Sequence, residues 1–188
     1  MEELTLYLRF LLGTVFFTAG AAKLTKMDSH AAVVKGYRIL PSRLIVPFVW
    51  FETVAECLVG ALLFSGHYLS VSALFAACLL ILYSIGIAVN VLRGRTEIDC
   101  GCGGIIGNHR LSMGLVIRNL VFIAACAWLF VSASLPHPNP WTSPLQSLQI
   151  LLISSVSLLF ALLLGETAKL HKRVNTLLDQ RKRNEGQR

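Results

Sequence analysis

Two cysteines separated by one glycine, Cys100-Gly101-Cys102, are the residues of this chain whose types and spacing most directly offer chemistry. Cysteine Cα atoms at i and i+2 can fall inside the roughly 4.4–6.8 Å window a disulfide allows. The ring they close is small and strained, and strained disulfides are the labile, catalytic or regulatory ones. Gly101, Gly103 and Gly104 give the backbone the freedom to close and open that ring. Asp99, the preceding residue, is positioned to accept a proton, although its charge opposes thiolate formation. Two other readings stay open. One is a pair of free thiols in a turn. The other is a metal site joined by His109, but two Cys and one His make an incomplete zinc set, and no metal is expected.

A second set consists of polar and ionisable groups inside apolar segments, where charge is expensive and usually functional. Glu52 and Glu56 are four apart and share one helix face. Lys23, Asn90, Arg118 and Asn119 complete the set. If successive spans are antiparallel, all six lie on the side of the membrane that carries the cysteine loop. At about 1.5 Å per residue, Glu52 and Arg118 sit on the order of 10 Å deep, with Lys23 and Asn90 shallower. The expected arrangements are an ion pair holding the bundle, between Glu52 or Glu56 and either Arg118 or Lys23, and a proton relay or polar wall around a bound quinone or partner peptide. Arg9, at the opposite end, is expected to snorkel to the interface. His67 and His137 are expected in solvated loops.

The elements that must position these groups are membrane spans. The 188 residues are 55% hydrophobic and 14% charged, with a mean hydropathy of +0.66; soluble domains carry about 25% charged residues. A span needs roughly 20 apolar residues, and five runs qualify, about 4–24, 45–65, 68–92, 113–135 and 145–165. The expected fold is therefore all-α: a membrane domain over 1–165 of about five spans, with a basic tail over 166–188. Ser65-Gly66-His67 makes a tight hairpin between the second and third spans, and Pro136-His137-Pro138-Asn139-Pro140 breaks the chain between the fourth and fifth. In the first gap Asp28-Ser29 are N-cap types, Val33, Tyr37 and Leu40 recur at helical spacing, and Leu40-Pro41 ends the run. This predicts a short amphipathic helix lying in the interface. Ser112 is the expected N-cap of the fourth span. Cys57, Cys78 and Cys126 lie inside apolar runs and read as small core residues. Glu2 and Glu3 stand where a signal peptide would carry basic residues, so the first run reads as a retained helix.

The formal charge of +7 does not imply nucleic acid. The basic residues sit between the apolar runs, without aromatic interleaving, as lysine and arginine mark the cytoplasmic side of a membrane protein. The first gap carries Lys26, Lys35, Arg38 and Arg43, besides Lys23 at the end of the first span. The third carries Arg93, Arg95 and Arg110, and the tail is basic throughout. The opposite side has only Arg9. A bacterial inner-membrane protein with the N-terminus out, the C-terminus in and the cysteine loop cytoplasmic is expected.

Taken together, these residues resemble the MauE/DoxX-like redox-associated membrane proteins. The matching positions are Arg9, Gly13, Ala19-Gly20 and Lys23-Leu24, then Tyr37, Leu40-Pro41, Pro47, Glu52, Glu56 and Gly60. Asn90, Arg93-Gly94, Asp99-Cys100-Gly101-Cys102 and Arg118-Asn119 follow. The resemblance covers roughly residues 4–135, and its Asp-Cys-Gly-Cys element with Arg-Asn downstream is the specific part. Where the family often has Phe after the second cysteine, this chain has Gly103. The resemblance implies a DoxX-like four-helix core, here with one extra C-terminal span. It implies disulfide formation or exchange with a thioredoxin-fold partner. It also implies a disulfide-containing client, such as a methylamine dehydrogenase small subunit, and, through the DoxX branch, contact with quinone. Cys100, Cys102 and Asp99 would carry the exchange, and Glu52, Glu56, Asn90, Arg118, Asn119 and Lys23 would line the pocket below. The competing expectation is a non-catalytic membrane adaptor or transporter-like subunit whose polar layer binds a solute, ion or quinone.

Overall fold

Apolar runs with few breakers become long helices here, because helices satisfy every backbone polar group internally in hydrocarbon. The computed structural model describes residues 2–66, 68–98 and 111–133, with positions 148, 149 and 152 besides. The chain divides into two units, Met1–Ser154 and Ser155–Arg188, and all the described residues lie in the first. Their helices are α1 (Glu2–Thr25), α2 (Met27–Tyr37), α3 (Ser42–Ser65), α4 (Leu69–Leu92) and α5 (Met113–Ala133). α1, α3, α4 and α5 are each long and apolar enough to cross a membrane. At 24 residues, α3 and α4 span about 36 Å, enough for the hydrocarbon core. The expected fifth span, the basic tail, the Asp99-Cys100-Gly101-Cys102 loop, His67, His109 and the proline-rich joint lie outside the described residues.

The ends of the helices differ from the expected ones for local reasons. α2 starts at Met27 rather than after Asp28-Ser29: Lys26 is its N-cap, without a side-chain hydrogen bond, and Asp28 falls in the first turn. An acidic residue there complements the helix dipole, so the signal was right in type and displaced in position. α2 stops at Tyr37, with Arg38 left-handed at φ 49°, and Pro41 caps α3 instead of ending α2. Gly66, at φ 71°, donates its N–H to Leu62 O and turns the chain from α3 toward α4. α4 closes in a Schellman motif: Arg95 N–H reaches Asn90 O, Gly94 N–H reaches Val91 O, and Gly94 takes φ 72°.

α1 and α3 approach at glycine. A Cβ on Gly60 would lie 2.7 Å from the Phe17 backbone nitrogen, and one on Gly20 would lie 2.6 Å from Cys57 Sγ. Such small-residue contacts let helices meet where lipid supplies no hydrophobic drive. Toward the Gly66 end the bundle core is Leu12, Phe16, Val59, Leu63, Ala76, Leu80 and Leu129, joined by Cys126. Toward the other end Ile87, Leu111 and Leu115 form a second cluster, with Tyr37 of α2 packed against it. Outward faces carry Phe51, Leu58, Phe75, Ile117 and Val121, as a surface facing lipid requires. Cys126 is a core residue as expected, Cys57 is half-buried, and Cys78 is exposed on the outer face of α4 rather than packed inside. Thr14, Thr18, Thr53, Ser72 and Ser84 spend their hydroxyls on carbonyls three or four residues back in their own helices.

A buried ion network between α1, α2 and α3

Lys23 sits in the last turn of α1. Glu52 and Glu56, one turn apart, face it from α3. Lys23 Nζ donates to Glu52 Oε1 and, at 2.8 Å, to Glu56 Oε1. All three side chains are only 3% exposed. His30, the buried residue of α2, brings Nε2 to 3.2 Å from Glu52 Oε1. Tyr83 of α4 donates its hydroxyl to Glu56 Oε1 at 2.7 Å, and its ring lies under the lysine ammonium, 4.9 Å from ring centroid to Nζ. Four helices thus contribute to one network. An ion removed from water costs several kcal/mol and is tolerated only when partnered, so the network ties α1, α2, α3 and α4 together.

The network is not fully closed. One ammonium faces two carboxylates, and two atoms keep unspent hydrogen-bonding capacity among the described residues, Glu56 Oε2 and His30 Nδ1. A single additional proton would balance the charge count.

The other expected site residues are placed elsewhere. Asn90 is fully buried on α4, with Nδ2 donating to Gly86 O at 2.9 Å and Oδ1 unpartnered. Asn119 is buried on α5 with Nδ2 unpartnered, and the half-buried Arg118 keeps an unpartnered Nε. Among the described residues Arg118 pairs with neither glutamate, so the carboxylates belong to Lys23. Arg9 does not snorkel. It is 3% exposed, with its guanidinium 5.0 Å from the Phe10 ring centroid and against the turn at Gly66, where a Cβ would lie 2.5 Å from Nη1. Asp99, Cys100 and Cys102 lie outside the described residues.

Sequence reasoning missed His30 and Tyr83. His30 was within reach: the Val33, Tyr37, Leu40 stripe extended back by three residues lands on it. Tyr83 carried no such signal, because a tyrosine in an apolar run reads as an aromatic filler.

Four apolar spans that bury a lysine–diglutamate network, with a short fifth helix folded against it, define a small multi-pass membrane protein. The chain belongs to the family described as methylamine utilisation protein MauE, whose sequence model matches residues 1–132. It is 37% identical over 133 residues to the methylamine utilization protein MauE of Paracoccus versutus, covering 71% of this chain and 70% of that one. The protein of the same name from Methylorubrum extorquens is 33% identical over 172 residues, 86% of this chain and 89% of its own, so that likeness continues past the four described spans. With the one from Methylophilus methylotrophus it shares 42% over 92 residues, covering 47% of this chain and 46% of that one. No solved structure matches the chain.

Proposed function

We propose that this chain is a membrane thiol–disulfide redox protein of methylamine utilisation, with Cys100 and Cys102 as the exchanging pair. The observation that carries this reading is the Asp99-Cys100-Gly101-Cys102 element in the connection from α4 to α5, in a chain that belongs to the MauE family. A thiolate of the pair attacks a partner disulfide and forms a mixed disulfide; the second thiol resolves it, leaving the partner reduced and Cys100–Cys102 oxidised. The reverse sequence oxidises a partner dithiol. The partner class is a thioredoxin-fold protein, and the client a disulfide-containing protein such as a methylamine dehydrogenase small subunit. A quinone is the class of electron acceptor a bilayer supplies. Asp99 accepts a proton at the pair, and Glu52, Glu56 and Lys23 hold the helices beneath it and carry protons. Asn90 on α4 and Arg118 and Asn119 on α5 supply further polar groups.

The exposed flanks support an orientation. Lys26, Lys35, Arg38, Arg43 and Arg93 are exposed at the end of the bundle where α1 and α4 finish, whereas Lys23 is spent internally. At the other end Arg9 is buried. Exposed lysine and arginine mark the cytoplasmic side, which puts the loop inward in a bacterial inner membrane, with the N-terminus out and the C-terminus in. The pair then takes electrons from a cytosolic donor, and any effect on an external client is indirect.

Cys100→Ser and Cys102→Ser are expected to abolish growth on methylamine while the protein still inserts, measured by complementation beside membrane fractionation. Normal growth of the double variant rules the proposal out. Labelling of single-cysteine variants in whole cells with a membrane-impermeant thiol reagent, after mild reduction, tests the orientation. Ready labelling without permeabilisation reverses it. The buried ion network, which stands without the cysteines, favours a second reading, a non-catalytic adaptor or transporter-like subunit, and a Cys100–Cys102 pair that never oxidises in cells would select it.

A further inference from the structure

A cavity of about 160 Å³ lies among α2, α3 and α4, directly beside the ion network. Its walls are apolar, with Val34 and Tyr37 from α2, Phe48 from α3 and Leu82 from α4. Gly86 keeps it open: a side chain there would grow into this space, next to the Tyr37 ring 3.4 Å from the Cβ position. Ile39 and Ile85 also line it and are exposed, so the mouth is apolar and suits a molecule arriving from hydrocarbon.

The polar end is formed by Lys23, Glu52, Tyr83 and His30. Lys23 and Glu52 are committed to each other, and Tyr83 to Glu56. His30 is not. It is 7% exposed, and Nδ1 has no partner among the described residues. A carboxylate oxygen only accepts hydrogen bonds, so Nε2 of His30 is the donor to Glu52. In the neutral imidazole this leaves Nδ1 an acceptor. A buried acceptor left unmade is expensive, and a carboxylate fixing one ring nitrogen so that the other can work is a recurrent arrangement.

Size then restricts the occupant. An apolar cavity of ~150 Å³ holds one benzene ring. We propose that this cavity is a binding site for a membrane-partitioned, single-ring phenol, its ring among Val34, Tyr37, Phe48 and Leu82 and its hydroxyl donating to His30 Nδ1. The site is independent of the cysteine chemistry proposed above.

The test uses the full chain in lipid nanodiscs with Cys100 and Cys102 both replaced by serine, so that a failed redox proposal leaves the result readable. Binding is followed by fluorine NMR against protein-free nanodiscs with three probes: para-fluorophenol, para-fluoroanisole, which only accepts, and fluorobenzene, which does neither. The expected result is saturable binding of para-fluorophenol about tenfold tighter than of the other two, the value of one hydrogen bond. His30→Ala is expected to abolish that preference. Gly86→Leu, which leaves the His30–Glu52 bond in place, is expected to abolish binding of all three. Equal affinity for the phenol and fluorobenzene, tighter binding of the anisole, or full phenol binding in Gly86→Leu would each overturn the proposal. If His30→Ala does not accumulate, the probe series and Gly86→Leu decide alone.

Discussion

The seam between α1 and α3 and the set of polar residues carried by α4 and α5 both bury polar side chains in a membrane bundle, and they do so in different ways. At the first, glycines bring the backbones together, and the charges just beyond them are answered: Lys23 by two glutamates, Glu52 by His30, Glu56 by Tyr83. At the second, Asn90 Oδ1, Asn119 Nδ2 and Arg118 Nε have no partner among the described residues. A set whose charges answer one another fixes helix positions, because breaking one member strands the others. Unspent donors and acceptors, at His30 Nδ1 in the first and along α4 and α5 in the second, are where another group can be received. The first seam is thus the scaffold of the bundle. The second, beside the cysteine connection, is the side on which chemistry is proposed.

That contrast predicts a steep gradient of mutational effect. Lys23→Ala leaves two carboxylates facing each other in a dry interior and is expected to destabilise the protein by roughly 3–5 kcal/mol. The triple variant Lys23→Met, Glu52→Gln, Glu56→Gln removes all three charges together and is expected to lose much less. Reversible unfolding in detergent micelles compares them, and a triple variant weaker than Lys23→Ala would break the idea that stranded charge is the main cost. Next in size is Gly60→Val. The 2.7 Å approach to the Phe17 backbone cannot be relieved by a side-chain rotation, so about 3 kcal/mol is expected, near the top of the overpacking range. An unchanged melting temperature would show that α1 and α3 are further apart than described.

The smallest effects belong to the polar residues of α4 and α5. Asn90→Ala loses the Nδ2 bond to Gly86 and is expected to cost about 1 kcal/mol. Asn119→Ala removes an unpartnered donor and is expected to cost less than Asn90→Ala in the same assay. A larger loss at Asn119 would mean that its amide is engaged, and the comparison between the two sets would fail.

The sequence made the four long spans legible because apolar length is a direct physical requirement of the bilayer, and each was located to within a few residues. α2 was legible from Val33 and Tyr37, although its start was not, since Asp28 serves equally well as a cap or in a first turn. What the sequence concealed was register. The depth argument ranked Lys23 shallower than Glu52 by taking the helix ends as flush. They are not: the first turns of α3 run past the end of α1 and take α2 against them, which brings Lys23 level with both glutamates. The Gly20 contact with Cys57 and the Gly60 contact with Phe17 set that offset, and glycines in apolar runs do not announce their partners. His30 followed from the α2 stripe, but its partner Glu52 depends on the same offset. The Cys100–Cys102 pair is the reverse case, plain in the sequence and outside the described residues.

The central claim is that Cys100 and Cys102 form a reversible disulfide with each other. A variant carrying only these cysteines, with Cys57, Cys78 and Cys126 replaced by alanine, can be equilibrated in lipid nanodiscs across a series of glutathione redox buffers. Acid quenching and alkylation then let intact mass count the free thiols. The account predicts that two alkylations disappear together as the buffer becomes oxidising, return together on reduction, and leave no glutathione adduct at either endpoint. Two thiols that remain alkylated across the whole series, or that end as separate glutathione adducts, would contradict it.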